Sequence, residues 1–198
     1  PYTPSSFPVE LLSISNEKGA RLRATVTEFG PVLFSKILDL NDTQSGVVSV
    51  LFKFSDEKKL PLLDLKDFKK LLQYISEEGK DELEKEYGQI SAATIGTILR
   101  KVVELETDTN LFFGERSFEV EDLVKFDSEG RGRVSIIRLA DIQNKPKLFS
   151  TFLLCLLVEI YNNFPEEGDL DQPKLVMFID EAHLKLQEAS KALLEQIE

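Results

Sequence analysis

An α/β fold with parallel strands and a helical insertion is what this sequence predicts, on three observations. Leu175 to Ile179 is apolar at every position, as expected of a central parallel strand covered on both faces rather than a half-exposed one. A stretch that is apolar nearly all round follows Pro146 and runs to about Asn163, between that run and a β-branched segment at Arg133 to Leu139. Strand, buried helix and strand form a βαβ unit, which requires a parallel sheet and a right-handed crossover. From Asp64 to Leu105 the apolar residues recur at helical spacing instead, which predicts a compact helical subdomain.

Taken in order, Val9 to Ile14 is apolar and Asn16 to Gly19 is turn material. Arg21 to Thr27 alternates, with Leu22, Ala24 and Val26 on one face, so a β-hairpin is the simple reading. After Gly30, Pro31 suits the first turn of a helix whose apolar positions are Leu33, Phe34, Ile37 and Leu38. Asn41 to Gly46 breaks that pattern, with Asp42 as the candidate N-cap of the next helix. Val47, Val50, Leu51 and Phe54 fit helical spacing, while Val48, Val50, Phe52 and Phe54 fit strand spacing equally well; helix is the favoured reading.

Asp64 is placed to cap a helix that buries Leu65, Phe68, Leu72 and Ile75. The mixed-charge run Glu77 to Glu86 reads as a solvated helix or linker. Ser91 caps the next pattern, in which Ile95, Ile98, Leu99, Val102 and Val103 share a face. Asn110 to Asp127 reads as a loop with a short helix around Leu123. The predicted organisation is therefore strands of the core at 1–30, a mainly helical insertion at 31–127 and the βαβ unit at 128–198.

The 198 residues are 42% hydrophobic and 30% charged, enough apolar material to bury a substantial core. A net charge of -11 argues against strong nucleic-acid binding by this chain alone, because phosphate neutralisation needs clustered Lys and Arg. The single cysteine, Cys155, has no intramolecular disulfide partner, so a reducing, cytoplasmic setting is expected. Leu148 to Tyr161 contains Glu159 and is too short to span a bilayer; no membrane partner is expected. The start at Pro1 without Met, and a helical pattern still running at Glu198, are read as an internal piece of a longer protein.

The chemistry is concentrated where the apolar run ends in two adjacent carboxylates, Asp180 and Glu181. Open α/β sheets bind ligands at the carboxyl ends of their strands. There, one acid can hold a metal ion and its neighbour can orient an attacking water. That is the Walker B arrangement of P-loop nucleotide hydrolases. Its partner, the phosphate-cradling G-x-x-x-x-G-K-[ST] loop, is absent from the sequence, and Gly130-Arg131-Gly132 lacks the Lys-Ser/Thr that would touch phosphate and Mg²⁺.

Other candidates have ordinary readings beside functional ones. Asn41 to Gln44 is polar enough to meet a ligand, yet a turn and helix cap explains it. Arg131 and Arg133 could face phosphate or a subunit interface, and solvated turn arginines are commoner. Phe112 and Phe113 could form a binding face, with core packing the commoner case.

The blocks NDTQSGV at Asn41 to Val47, LLDLKD at Leu62 to Asp67, EYGQISAATIGTI at Glu86 to Ile98, FFGE at Phe112 to Glu115 and DLDQPKLVMFIDEAHL at Asp169 to Leu184 resemble the bacterial HerA-like NTP hydrolases. The resemblance covers nearly the whole chain, including RGRVSIIRLADIQN, and the order of all blocks. It implies a partial RecA-like P-loop NTPase core in a RecA-type ATPase of the HerA/FtsK group, with the parent forming a hexameric ring that acts on DNA or another partner. A Walker A loop before Pro1, and a polar sensor and arginine finger after Glu198, are implied for that parent. Carried over by residue, Asp180 would bind Mg²⁺ of an ATP complex and Glu181 would polarise the attacking water. Helix N-capping is the plain structural alternative for either acid. His183 gives a DEAH-like string and reads as a positioning or interface residue. On this basis the chain alone is expected to be inactive.

Two competing readings come from other classes. One is a non-catalytic interaction module whose helical insertion, Asp64 to Leu105, docks a partner or neighbouring subunit. The other is an unrelated metal hydrolase using Asp180, Glu181 and His183, for which one histidine in the whole chain rules out a His-rich site.

Overall fold

The computed structural model describes residues 6–109, 111–139, 146–164, 168, 171 and 173–180. The chain forms two units, one from Pro1–Leu22 with Phe118–Glu198 and the other from Arg23–Ser117.

The first unit is built on a three-stranded sheet. The apolar residues of β1, Val9–Ser13, make it the central strand, flanked by β2, Ala20–Arg21, and β3, Val134–Arg138. Both pairings are parallel: Leu12 stands opposite Ala20 on one side, and Val9 to Ser13 run opposite Val134 to Arg138 on the other. The expected hairpin is therefore replaced by a parallel pair. Two physical causes are visible. At Gly19 the returning chain presses so closely on β1 that a Cβ would lie 2.8 Å from the Leu11 carbonyl oxygen, and only glycine tolerates that approach. Thr25 then starts a helix instead of extending the strand, so the alternation at Leu22, Ala24 and Val26 survives only as burial.

Side chains alternate across a strand, and here the two faces of the sheet differ. Leu12 and Ile14 point into the core. The opposite face carries Val9 and Leu11 from the first strand, Phe7 just before it, and Val134 and Ile136 from the third. Phe126 joins them, because it bridges Gly132, two residues before Val134. All six remain between 43% and 71% exposed.

The helix after Pro146, Pro146–Asn163, forms as its apolar pattern predicts and buries Leu148 to Leu156. It packs on a short 3-10 helix, Val120–Val124, and Phe152 meets Phe118 with ring centroids 6.3 Å apart. Cys155 is buried. The second strand of the expected βαβ unit is not formed. Leu175 to Ile179 joins no ladder and is exposed throughout, Phe178 at 91%. A parallel strand is held by a neighbouring ladder and by cover on both faces; the run has neither here.

The second unit is helical, and local capping defines its elements. The helix α1, Val26–Ile37, begins with Thr25 accepting from the Glu28 amide at 3.3 Å while the Glu28 carboxylate accepts from the Thr25 amide at 2.7 Å. Gly30, at φ 66°, kinks it, and Pro31 opens the second segment as expected. For α2, Asp42–Glu57, the cap is Asn41 rather than Asp42: its side-chain oxygen accepts from the Gln44 amide at 3.0 Å, and Gln44 returns the bond to the Asn41 amide. Asp42 occupies the first turn instead, where its charge suits the helix dipole.

Asp64 caps α3, Leu65–Ser76, with its carboxylate 2.8 Å from the Lys66 amide and 3.0 Å from that of Asp67. The charged run forms α4, Lys80–Tyr87, anchored by buried Leu83. The helix α5, Ala92–Thr109, follows Ser91, whose hydroxyl accepts from the Thr94 amide at 3.1 Å. Its core residues are Ile98, Val102 and Leu105, whereas Val103 is exposed. Phe34 lies at the centre of the unit, its ring 4.8 Å from that of Phe68, 5.9 Å from Phe52 and 6.5 Å from Phe113. Among the described residues no helix is long and apolar enough to cross a membrane.

Candidate functional site

Ligands of open α/β sheets bind at the carboxyl ends of the strands, and the first unit has such an edge. The first strand ends at Ser13, whose hydroxyl donates to the Ser15 carbonyl at 3.2 Å and accepts from the Ser15 amide at 3.1 Å. Both serines are buried, so the turn into Asn16, Glu17 and Lys18 is held from inside. The third strand ends at Arg138, and its guanidinium lies 2.9 Å from the Glu17 carboxylate. Asn16, Glu17, Lys18 and Arg138 line a shallow open depression there. It carries two cationic side chains and one anionic one, all at least partly exposed, and so offers polar and charged contacts rather than an apolar cavity. Sequence reasoning does not single out Glu17 or Arg138; the signal available was a charged residue at the end of, or a few residues after, each apolar strand.

Asp180 is exposed, in a turn that ends the extended run from Leu175. A carboxylate there is a hard oxygen donor, suited to Mg²⁺, which keeps several of its waters and needs one or two protein carboxylates. Glu181 and His183 lie outside the described residues. Among the described residues no group of three or more His, Cys, Asp or Glu side chains is gathered closely enough to hold a metal ion.

The arginines singled out by sequence have structural partners. Arg131 donates to Asp127 at 2.8 Å and to the Ser6 carbonyl at 2.9 Å. Asp127 also accepts from the amides of Arg131 and Glu129, each at 2.9 Å. The Arg131 amide, above all, holds the Asp127 carboxyl below its ordinary pKa. Arg133 pairs with Glu10 at 2.6 Å across the first and third strands. These contacts fix a turn and a strand register rather than present free cations. Asn41 and Gln44 are spent on the capping box. Phe112 and Phe113 are core residues, tied to Phe29 with ring centroids 6.3 and 5.4 Å away.

In the helical unit, Asp64, Lys66, Val103, Glu106, Thr107 and Phe113 line a shallow groove between the start of α3 and the second half of α5. Lys69 and Glu106 form an ion pair joining the same two helices.

No curated protein and no solved structure matches the chain. The model of the helicase HerA-like C-terminal family matches residues 1–198, the whole chain, which therefore belongs to that family.

Proposed function

We propose that this chain supplies the acidic part of an ATP-hydrolysing site in a HerA-like translocase or helicase with a RecA-like core. The single observation that carries the reading is the apolar run Leu175 to Ile179 ending in Asp180 and Glu181, within a chain of the HerA-like helicase family. In this reading Asp180 would hold Mg²⁺, which when bound neutralises charge on the phosphates. Glu181 accepts a hydrogen bond from the attacking water, orienting it and taking its proton as the water oxygen bonds to the γ-phosphorus and the bridging P–O bond to the ADP leaving group breaks. Phosphoryl transfer depends mainly on positioning and electrostatic stabilisation, and two carboxylates supply only part of that. The phosphate cradle and transition-state cation come from elsewhere in a parent protein, which acts as a homohexameric ring on DNA in the cytoplasm. The chain alone therefore turns over ATP negligibly.

The test is Mg²⁺-dependent ATP hydrolysis by the parent protein. Asp180→Asn and Glu181→Gln should each abolish turnover in folded protein; activity retained in both contradicts the proposal. One observation favours a second reading, an interaction module: Val103, on the apolar face of α5, stays 47% exposed beside the α3–α5 groove. Under that reading Val103→Glu disrupts partner binding while the Asp180 and Glu181 variants hydrolyse normally.

A further inference from the structure

The helix α4 is fastened to its unit differently from the helices before it. Its one buried residue is Leu83, whereas α3 buries Leu65, Phe68, Leu71, Leu72 and Ile75. Capping boxes start α1, α2 and α3, but α4 follows Gly79, which has no side chain to cap it. At the other end Gly88, at φ 84° and ψ 175°, holds a backbone conformation open to glycine. A glycine therefore stands at each end of the helix.

The remaining contacts of α4 with α2 are polar. Glu82 pairs with Lys58, Tyr87 donates to Glu57 at 2.6 Å, and the Lys53 ammonium lies 5.3 Å from the centre of the Tyr87 ring. Lys58 and Glu82 are both more than two-fifths exposed, and ion pairs in water hold little. A helix of eight residues does not persist in water by itself, so detaching α4 and unfolding it are one event.

We propose that α4 is a strap that opens between Gly79 and Gly88 as one cooperative segment while the rest of the Arg23–Ser117 unit stays folded. Leu83 is its fastener, and the Lys58–Glu82 and Tyr87–Glu57 contacts are its clasp on α2. Opening uncovers the part of α3 on which α4 packs and frees Glu57 and Lys58 of α2, turning a closed surface into one with new apolar and charged groups.

Residue-resolved amide hydrogen exchange on the 198-residue chain, compared with Leu83→Ala, tests it. In the wild type, protection factors for the amides of Leu83 to Gly88 should lie at least about tenfold below those of Leu72, Ile75, Ile98 and Val102. In Leu83→Ala the protection of α4 should be lost, while those four residues of α3 and α5 keep theirs within about threefold. Wild-type amides of α4 protected as strongly as those of α3 overturn the proposal. A variant in which α3 and α5 lose protection together with α4, or which fails to fold, overturns it equally, because Leu83 is then part of the common core.

Discussion

At the scale of single residues, stability and ionisation are set by a few close contacts. Phe34 is fully buried among Phe52, Phe68 and Phe113. Phe34→Ala should destabilise the helical unit by about 3–5 kcal/mol, the cost of losing the ring and leaving a cavity, as measured by urea denaturation. Tyr87 donates to Glu57 at 2.6 Å, and chiefly through that bond its pKa is pushed up to about 12. A raised folded-state pKa means the contact stabilises below the unfolded value near 10 and is lost as pH rises through about 12. Absorbance titration should show the Tyr87 phenol titrating late and moving back towards pH 10 in Glu57→Gln; a titration unchanged in the variant would refute the link. At this scale the sequence was legible for Phe112 and Phe113, since adjacent aromatics in an apolar setting usually pack inward. It was not legible for Arg131 and Arg133, whose partners Asp127, Ser6 and Glu10 become neighbours only through the turn and strand register.

At the scale of elements, caps account for what could be read. Asp64, followed by an apolar face, is legible because the cap and its amide partners are three residues apart or fewer. Asp64→Ala should cost about 1 kcal/mol, seen as a lower midpoint in thermal or denaturant unfolding of the Arg23–Ser117 unit; no change would mean the Asp67 carboxylate suffices. Asn41 displaced Asp42 as the cap because only its spacing puts Gln44 at the reciprocal position. The hairpin was misread for a non-local reason. Alternation at Leu22, Ala24 and Val26 correctly marks the buried face, but Gly19 against Leu11, and Thr25 with Glu28, decide that the chain crosses in parallel and then turns helical. Leu175 to Ile179 shows the same limit: an apolar run states a capacity for burial, and pairing requires an edge to receive it.

At the scale of the whole molecule, among the described residues of its unit the sheet face bearing Phe7, Val9, Leu11, Phe126, Val134 and Ile136 is an exposed apolar surface. Contiguous apolar surface drives association, against a net charge of -11 that opposes it. The isolated chain should therefore self-associate, more strongly at high salt because screening weakens the repulsion. Sedimentation velocity checks this: Val9→Lys with Ile136→Lys should restore a monomer, and a wild type that stays monomeric at all concentrations and salts would show the face to be inert.

Separating nucleotide binding from turnover in the parent protein isolates the role of Glu181. Glu181→Gln should bind Mg²⁺-ATP with affinity close to wild type, while the hydrolysis rate falls by roughly 10²- to 10⁴-fold, the range associated with a positioned general base. A variant that hydrolyses ATP within about twofold of wild type would show that Glu181 is not the general base.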